Sequence, residues 1–424
     1  MRPFILKTMR KNIFWLVCAI AGMYWTSCSV SKENKPQDVD FVKVDGHDLI
    51  TPDGEKLLIK GTNLGNWLNP EGYMFGFGRT NSAGKINEAL CEVAGPEFMK
   101  KFWKKFKDQY ITKADIDYIA SQGVNTIRVP FHYKLFTDED YMGLTGNQDG
   151  YARLDSVVEW CREDNLYVIL DMHDAPAGQT GDNIDDSYGY PWLMESPEAQ
   201  EQFYGIWREI ADHYKNEPVI LGYELINEPV ATYFENQDEL NGKLMDVYKQ
   251  CISAIREVDP NHIILIGAPQ WNSNFSPVNP DDFNDDPQVM YTCHRYGGPA
   301  TAEAIGNYIE FRNRSNRPMY MGEIGHNTDQ WQADFVAVMK DNNIGYTFWP
   351  YKKCYDSCMN GFGLPESWKT IVSYAEGPHE TYSEIREAKV NHQIAQEALT
   401  QLLDSIKFEN CHPNLSYINS LGLK

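Results

Sequence analysis

Two glutamates stand where they could break a glycosidic bond. Glu228 closes the run YELINEP and Glu323 closes PMYMGE. Hydrolysis with retention needs two carboxyl groups roughly 5–5.5 Å apart. One must be protonated, to donate to the leaving oxygen. The other must be ionised, to attack the anomeric carbon. Carboxyl groups held that close also push each other's pKa values apart, which separates the two roles. Other polar groups gather in the same way at the ends of apolar runs, in VILDMHD, YTCHRY and YMGEIGH. His173, between Asp171 and Asp174, suggests a metal site, but no HExxH-like spacing accompanies it. Cys293 beside His294 suggests thiol chemistry, but no oxyanion motif accompanies it.

Bringing these residues together requires a scaffold. Eight short apolar runs read as strands: Leu57–Leu64, Thr126–Phe131, Tyr167–His173, Ile220–Glu228, His262–Ala268, Val289–Tyr296, Pro318–Glu323 and Gly345–Trp349. Their near-continuous apolarity suits strands covered on both faces. Helical periodicity fills the gaps at Asp115–Gln122, Leu154–Asn165, Glu201–Asn216, Leu240–Val258 and Asp329–Asp341. Strands separated by helices predict an α/β fold, a (β/α)8 barrel, whose active sites gather at the C-terminal strand ends. Glu228 and Glu323 then lie at the ends of the fourth and seventh strands. The insertions Asn66–Ile111 and Ala175–Ser196 follow the first and third strands and should wall the cleft. A helical stretch over Ser383–Phe408 is expected to pack on the barrel.

The set of motifs resembles glycoside hydrolase family 5, the cellulase-like members of clan A. Asn227-Glu228-Pro229 looks like the family's acid/base motif, and Tyr320-Met321-Gly322-Glu323 like its nucleophile strand. Arg128 in NTIRVPF, His173 in ILDMHDAP, His294 and Tyr296 in YTCHRY, and Trp349 in YTFWPY match in order. The resemblance covers roughly residues 41–375. It implies that Glu323 is the nucleophile and Glu228 the acid/base. Arg128 and Tyr296 would orient and ionise Glu323, and Asn227 would bind the sugar 2-hydroxyl. His173 and His294 would position hydroxyls or the acid/base, and Trp349 would stack on the sugar. It implies neither a cofactor nor a metal.

The segments GTNLGNWLNPEGYMF and HDAPAGQTGDN resemble loops of the exo-β-1,3-glucanase subgroup. They imply a β-linked glycan substrate, with β-1,3-glucan favoured and β-1,4-glucan or mannan open. Asp174 and the Ile324-Gly325-His326 segment depart from that subgroup. Trp67, Trp192 and Trp271 are candidate sugar contacts. Two rival readings share these residues: a transglycosylase, and a glycan-binding lipoprotein without catalysis.

The net charge of -22 opposes nucleic-acid binding. Arg2, Lys7, Arg10 and Lys11 precede an apolar run, Ile13–Trp25, and then Thr26-Ser27-Cys28. Residues 1–27 read as an export signal, and the end resembles a Bacteroidetes lipoprotein signal. Cys28 would carry the lipid and be the sole membrane attachment, on an outer-membrane or periplasmic protein; free secretion is the alternative. Residues 28–40 read as a tether, 41–375 as the catalytic domain and 376–424 as a helical extension. A monomer is expected. Seven cysteines remain outside the signal and lipid site, among which Cys354 and Cys358 could pair.

Overall fold

The computed structural model describes residues 40–145, 149–182, 184–388 and 390–424. The export signal, Cys28 and all but the last residue of the tether lie outside the described residues. Eight parallel strands close a barrel in chain order: β1 (Lys60–Asn63), β2 (Thr126–His132), β3 (Tyr167–Asp174), β4 (Ile220–Glu224), β5 (Ile263–Gly267), β6 (Val289–His294), β7 (Met319–Gly325) and β8 (Gly345–Trp349). β8 pairs with β1 to complete the ring. Each expected run holds a barrel strand, and the α/β barrel reading stands.

The strands are buried almost throughout because both faces are covered. Outward residues such as Ile127, Val129, Val168 and Leu170 join the core beneath the helices. Inward residues Ile169, Leu221, Leu265, Met290 and Tyr320 form a second cluster. Val42 and Leu49 belong to that cluster, so the hairpin of Lys43–Asp45 and Asp48–Ile50 plugs the barrel. Above this plug the inward positions turn polar: Arg128, Asp171, Glu224 and Glu323 are all buried.

Two irregularities aim that polar layer. Val168 and Ile169 of β3 pair with Ile220 and Gly222 of β4, so Leu221 is extra. Cys293 and His294 of β6 pair with Met321 and Glu323 of β7, so Gly322 is extra. A bulge shifts the side-chain alternation by one. Tyr320 and Glu323 therefore both face inward, although three residues apart.

Two expectations need correction. β4 ends at Glu224, so Glu228 lies four residues beyond the strand, in the loop. The insertion after β1 contains the helices Ala83–Ala94 and Pro96–Tyr110. In the second of these, Met99, Phe102, Trp103, Phe106 and Tyr110 are buried at helical spacing. The stretch 383–408 is two helices, Tyr382–Glu387 and His392–Ser405. Asn391 breaks it: its side chain accepts the amides of Gln393 and Ile394 and starts a new helix. Cys354 and Cys358 are unpaired buried thiols. Among the described residues no helix is long and apolar enough to cross a membrane.

Candidate active site

Arg128 is the centre of a dry charge network. Its Nε and Nη2 donate to Glu224 at 3.1 and 2.7 Å. Nη1 donates to Glu323 Oε1 at 2.8 Å and to Asn63 Oδ1 at 2.9 Å. Nη2 also reaches Asn227 Oδ1 at 2.8 Å and Asp171 at 3.1 Å. One guanidinium cannot neutralise three buried carboxylates. Burial pushes Asp171 up to about 7, so a proton shared there relieves the imbalance. Tyr296 donates its hydroxyl to Glu323 Oε2. Both oxygens of Glu323 are thus held by strong donors, which fix the orientation of its carboxyl group.

Glu228 is positioned by backbone. It sits at a φ of 43°, with Val230 at 54°, a conformation that costs energy for a residue with a side chain. The loop after β3 holds it there. Gln179 Nε2 donates to the carbonyls of His173 and Asn227 at 2.8 and 3.0 Å. Thr180 Oγ1 donates to the Glu228 carbonyl at 2.7 Å. The amides of Val230 and Ala231 return to the carbonyls of Gln179 and Thr180.

The carboxyl of Glu228 meets His294, with Oε1 2.8 Å from Nδ1, and Nδ1 lies 3.6 Å from Glu323 Oε2. Carboxyl oxygens of the two glutamates approach within 4.8 Å. That falls short of the roughly 6.5–9.5 Å of inverting enzymes and lies on the retaining side. Burial raises Glu228 to about 8, so near neutrality it holds a proton. The pair therefore combines a carboxyl group held by two donors with a neutral acid.

The pocket over this pair has a volume of about 350 Å³. Glu228, Glu323, His173, Tyr296 and Trp349 line it, together with Glu71, Tyr73, Ile184 and His326. Of the other expected residues, Arg128, Asn227 and His294 are buried behind the lining. The His173 ring lies parallel to the Trp349 indole, at 5.1 Å between centroids. His173 Nδ1 pairs with Asp171 at 2.7 Å, and its Nε2 faces Asn227 Nδ2 at 3.3 Å. Asn227 is thus oriented from both ends of its amide. Trp67 is no sugar contact: it is 1% exposed and its Nε1 donates to the Lys107 carbonyl. Trp192 and Trp271 lie outside the pocket lining.

Sequence reasoning missed Glu71. Its carboxyl is buried, stands 3.8 Å from His173 and has an oxygen without a partner. Burial, reinforced by the charge of Glu323, pushes it well above the ordinary range. A lone acid in the loop NWLNPEGYMF, leaving the catalytic face, was the available signal.

Among the described residues, two histidine–carboxylate clusters have ligand atoms close enough for a cation, Glu228/His294/Glu323 and His132/Asp174/Asp186. In the first, the oxygens of Glu323 are taken by Arg128 and Tyr296. In the second, His132 Nδ1 accepts the Lys134 amide, so its proton sits on Nε2, facing Asp174 and Asp186. Asp186 also accepts the Gly84 amide at 2.7 Å. This cluster ties the two cleft-wall insertions together.

A closed eight-stranded parallel barrel with two facing glutamates at its C-terminal mouth defines the class. The chain belongs to glycosyl hydrolase family 5: residues 87–354 match the family described as cellulase. It is 31% identical over 281 residues to a β-xylosidase of Phanerodontia chrysosporium, covering 65% of this chain and 57% of that protein. It is 28% identical over 312 residues to endoglucanase C of Acetivibrio thermocellus, covering 59% of this chain and 87% of that protein. The rutinosidase structure from Aspergillus niger superposes with a TM-score of 0.57 at 19% identity, over 76% of this chain and 98% of that one.

Proposed function

We propose that the protein is a retaining β-glycoside hydrolase. The observation that carries this is the pair Glu228 and Glu323, within 4.8 Å, one a neutral acid by burial and the other an anion held by Arg128 and Tyr296. Glu323 attacks the anomeric carbon while the proton of Glu228 passes to the departing oxygen. The glycosyl–Glu323 ester is then opened by water, which returns a proton to Glu228. Asn227 binds the 2-hydroxyl and Trp349 carries the apolar face of the ring.

We favour β-1,3-glucan cleaved from a chain end. The resemblance of both cleft loops supports the linkage. The small cavity, with the buried carboxyl of Glu71 inside it, supports recognition of terminal hydroxyls. A row of rings leads away from the acid/base loop: Trp271 to Tyr233 at 6.2 Å, Tyr233 to Phe234 at 5.0 Å, Phe234 to Tyr190 at 5.4 Å and Tyr190 to Trp192 at 4.9 Å. It suits a saccharide leaving group. We also place the protein outside the cytoplasm on a lipid at Cys28. Labelled fatty acid should enter the wild type and not Cys28→Ser.

The deciding experiment is sugar release from laminarin, pustulan, mixed-linkage glucan, carboxymethylcellulose, xyloglucan and mannan, with Glu228→Gln and Glu323→Gln alongside. Glucose as the sole early product from laminarin, lost in both variants, is expected. Release only from a β-1,4-linked polymer would overturn the linkage. Binding without release would indicate a glycan-binding protein, and transfer to an added sugar in place of hydrolysis a transglycosylase.

A further inference from the structure

Behind the acid/base lies a contact that catalysis by two glutamates does not itself require. After β5 the chain passes through three successive residues in the left-handed region, Gln270, Trp271 and Asn272, with φ of 54°, 56° and 57°. None is glycine, so the turn is costly and must be held by its surroundings. It delivers the fully buried Asn272 amide against His294, with Nδ2 3.1 Å from Nε2. Gly267 makes room for it, since a Cβ there would fall 2.0 Å from Asn272 Oδ1.

We propose that Asn272 is a positioning residue that fixes the tautomer of His294 and thereby selects which oxygen of Glu228 carries the acid proton. The inference rests on the acid/base role proposed for Glu228. A neutral imidazole has one N–H and one lone pair. His294 Nδ1 faces two carboxyl oxygens, those of Glu228 at 2.8 Å and Glu323 at 3.6 Å. The anion of Glu323 favours a proton on Nδ1, which leaves the Nε2 lone pair to accept from the Asn272 amide. Burial holds the ring neutral, with its pKa lowered to about 4. The charged groups acting on it are Glu323, Arg128 and Glu224, with His173 also near. Nδ1–H then donates to Glu228 Oε1. That oxygen is an acceptor, and the acid proton resides on Oε2. With the opposite tautomer, Glu228 would donate Oε1–H to the imidazole and withhold it from the leaving group.

The test uses Asn272→Asp, whose carboxylate demands a proton on Nε2, and Asn272→Gly, which removes the donor and tolerates the backbone. Both are assayed on aryl β-glycosides with poor and with good leaving groups. General acid catalysis is worth about 10²–10⁴-fold. We expect Asn272→Asp to lose about 10²-fold in kcat on the poor leaving group, with KM unchanged, and little in the glycosylation rate with the good one. Asn272→Gly should lose less on the same substrate. Histidine ring ¹⁵N shifts, assigned with His294→Gln, should show the proton on Nδ1 in the wild type and on Nε2 in Asn272→Asp. A wild-type proton on Nε2, or equal losses on both leaving groups in folded variants, would overturn the proposal. If Glu228→Gln keeps full activity on poor leaving groups, the acid/base reading itself has failed, and this is visible without any Asn272 variant.

Discussion

Arg128 meets Glu224 through two parallel N–H···O contacts and Glu323 through a third. Replacing it with Met would strand these carboxylates in a dry site. Breaking a buried ion pair from one side costs about 3–5 kcal/mol, so Arg128→Met should lose that much in urea unfolding and lose activity with it. Arg128→Lys should rescue little, because an ammonium cannot form the paired contact. Glu228 gives a second residue-scale expectation. Its pKa is raised by burial to about 8, and its useful form is the protonated one. Activity is therefore present below about pH 8 and lost above it. The kcat/KM profile should show an alkaline limb near 8, and an alkaline limb already near 4.5, the ordinary value of a glutamate, would contradict a buried acid. Glu228, Glu323, Arg128 and Tyr296 were legible because each sits in a short motif at the end of an apolar run. Glu71 and Asn272 were not. Each gains meaning from a neighbour more than 20 positions away in the chain, His173 or His294, which folding alone supplies.

At the scale of elements, the site depends on one inserted glycine. Gly322 is the extra residue of β7, and without it the alternation would turn Glu323 out of the barrel. Its carbonyl accepts Asn63 Nδ2 at 3.1 Å and the Thr347 hydroxyl. A Cβ on it would lie 2.4 Å from Thr292 Oγ1 and 3.0 Å from His294 Nε2. Gly322→Ala must therefore displace Thr292 and His294, the latter in contact with Glu228 and near Glu323. Overpacking costs about 1–3 kcal/mol, which a barrel of this size can absorb. Activity should fall far more than stability does, by about 10²-fold, a loss typical of catalytic groups misplaced by about 1 Å. Steady-state kinetics beside urea unfolding would separate the two. Strand number and order were readable because doubly covered strands are apolar along their length. Bulges were not, since an extra residue in a continuously apolar run leaves no mark on the pattern. The run YELINEP misled for the same reason: Leu225 and Ile226 are buried beyond the strand end and look like more strand.

Across the whole molecule, β8 is braced by the segment 415–424. Tyr417, in the helix Leu415–Ser420, is 1% exposed and packs edge-on against Phe348 at 5.8 Å. Its hydroxyl reaches the carbonyl of Trp349 at 3.5 Å. Tyr346 donates its hydroxyl to the Leu421 carbonyl, and the Lys424 amide donates to the Gln122 carbonyl at 2.9 Å. The segment thus grips the outer face of the strand whose inner end carries the pocket floor. Tyr417→Ala deletes a large buried ring, a change that costs about 3–5 kcal/mol when the cavity does not collapse. If the brace serves only stability, kcat/KM at low temperature should match the wild type. If it also sets the height of Trp349, KM should rise with kcat little altered, because the indole contributes binding and transfers no proton. We expect the second outcome, since Tyr417 bonds to the Trp349 backbone itself. Wild-type KM in a folded but destabilised Tyr417→Ala would restrict the C-terminal segment to a purely structural role.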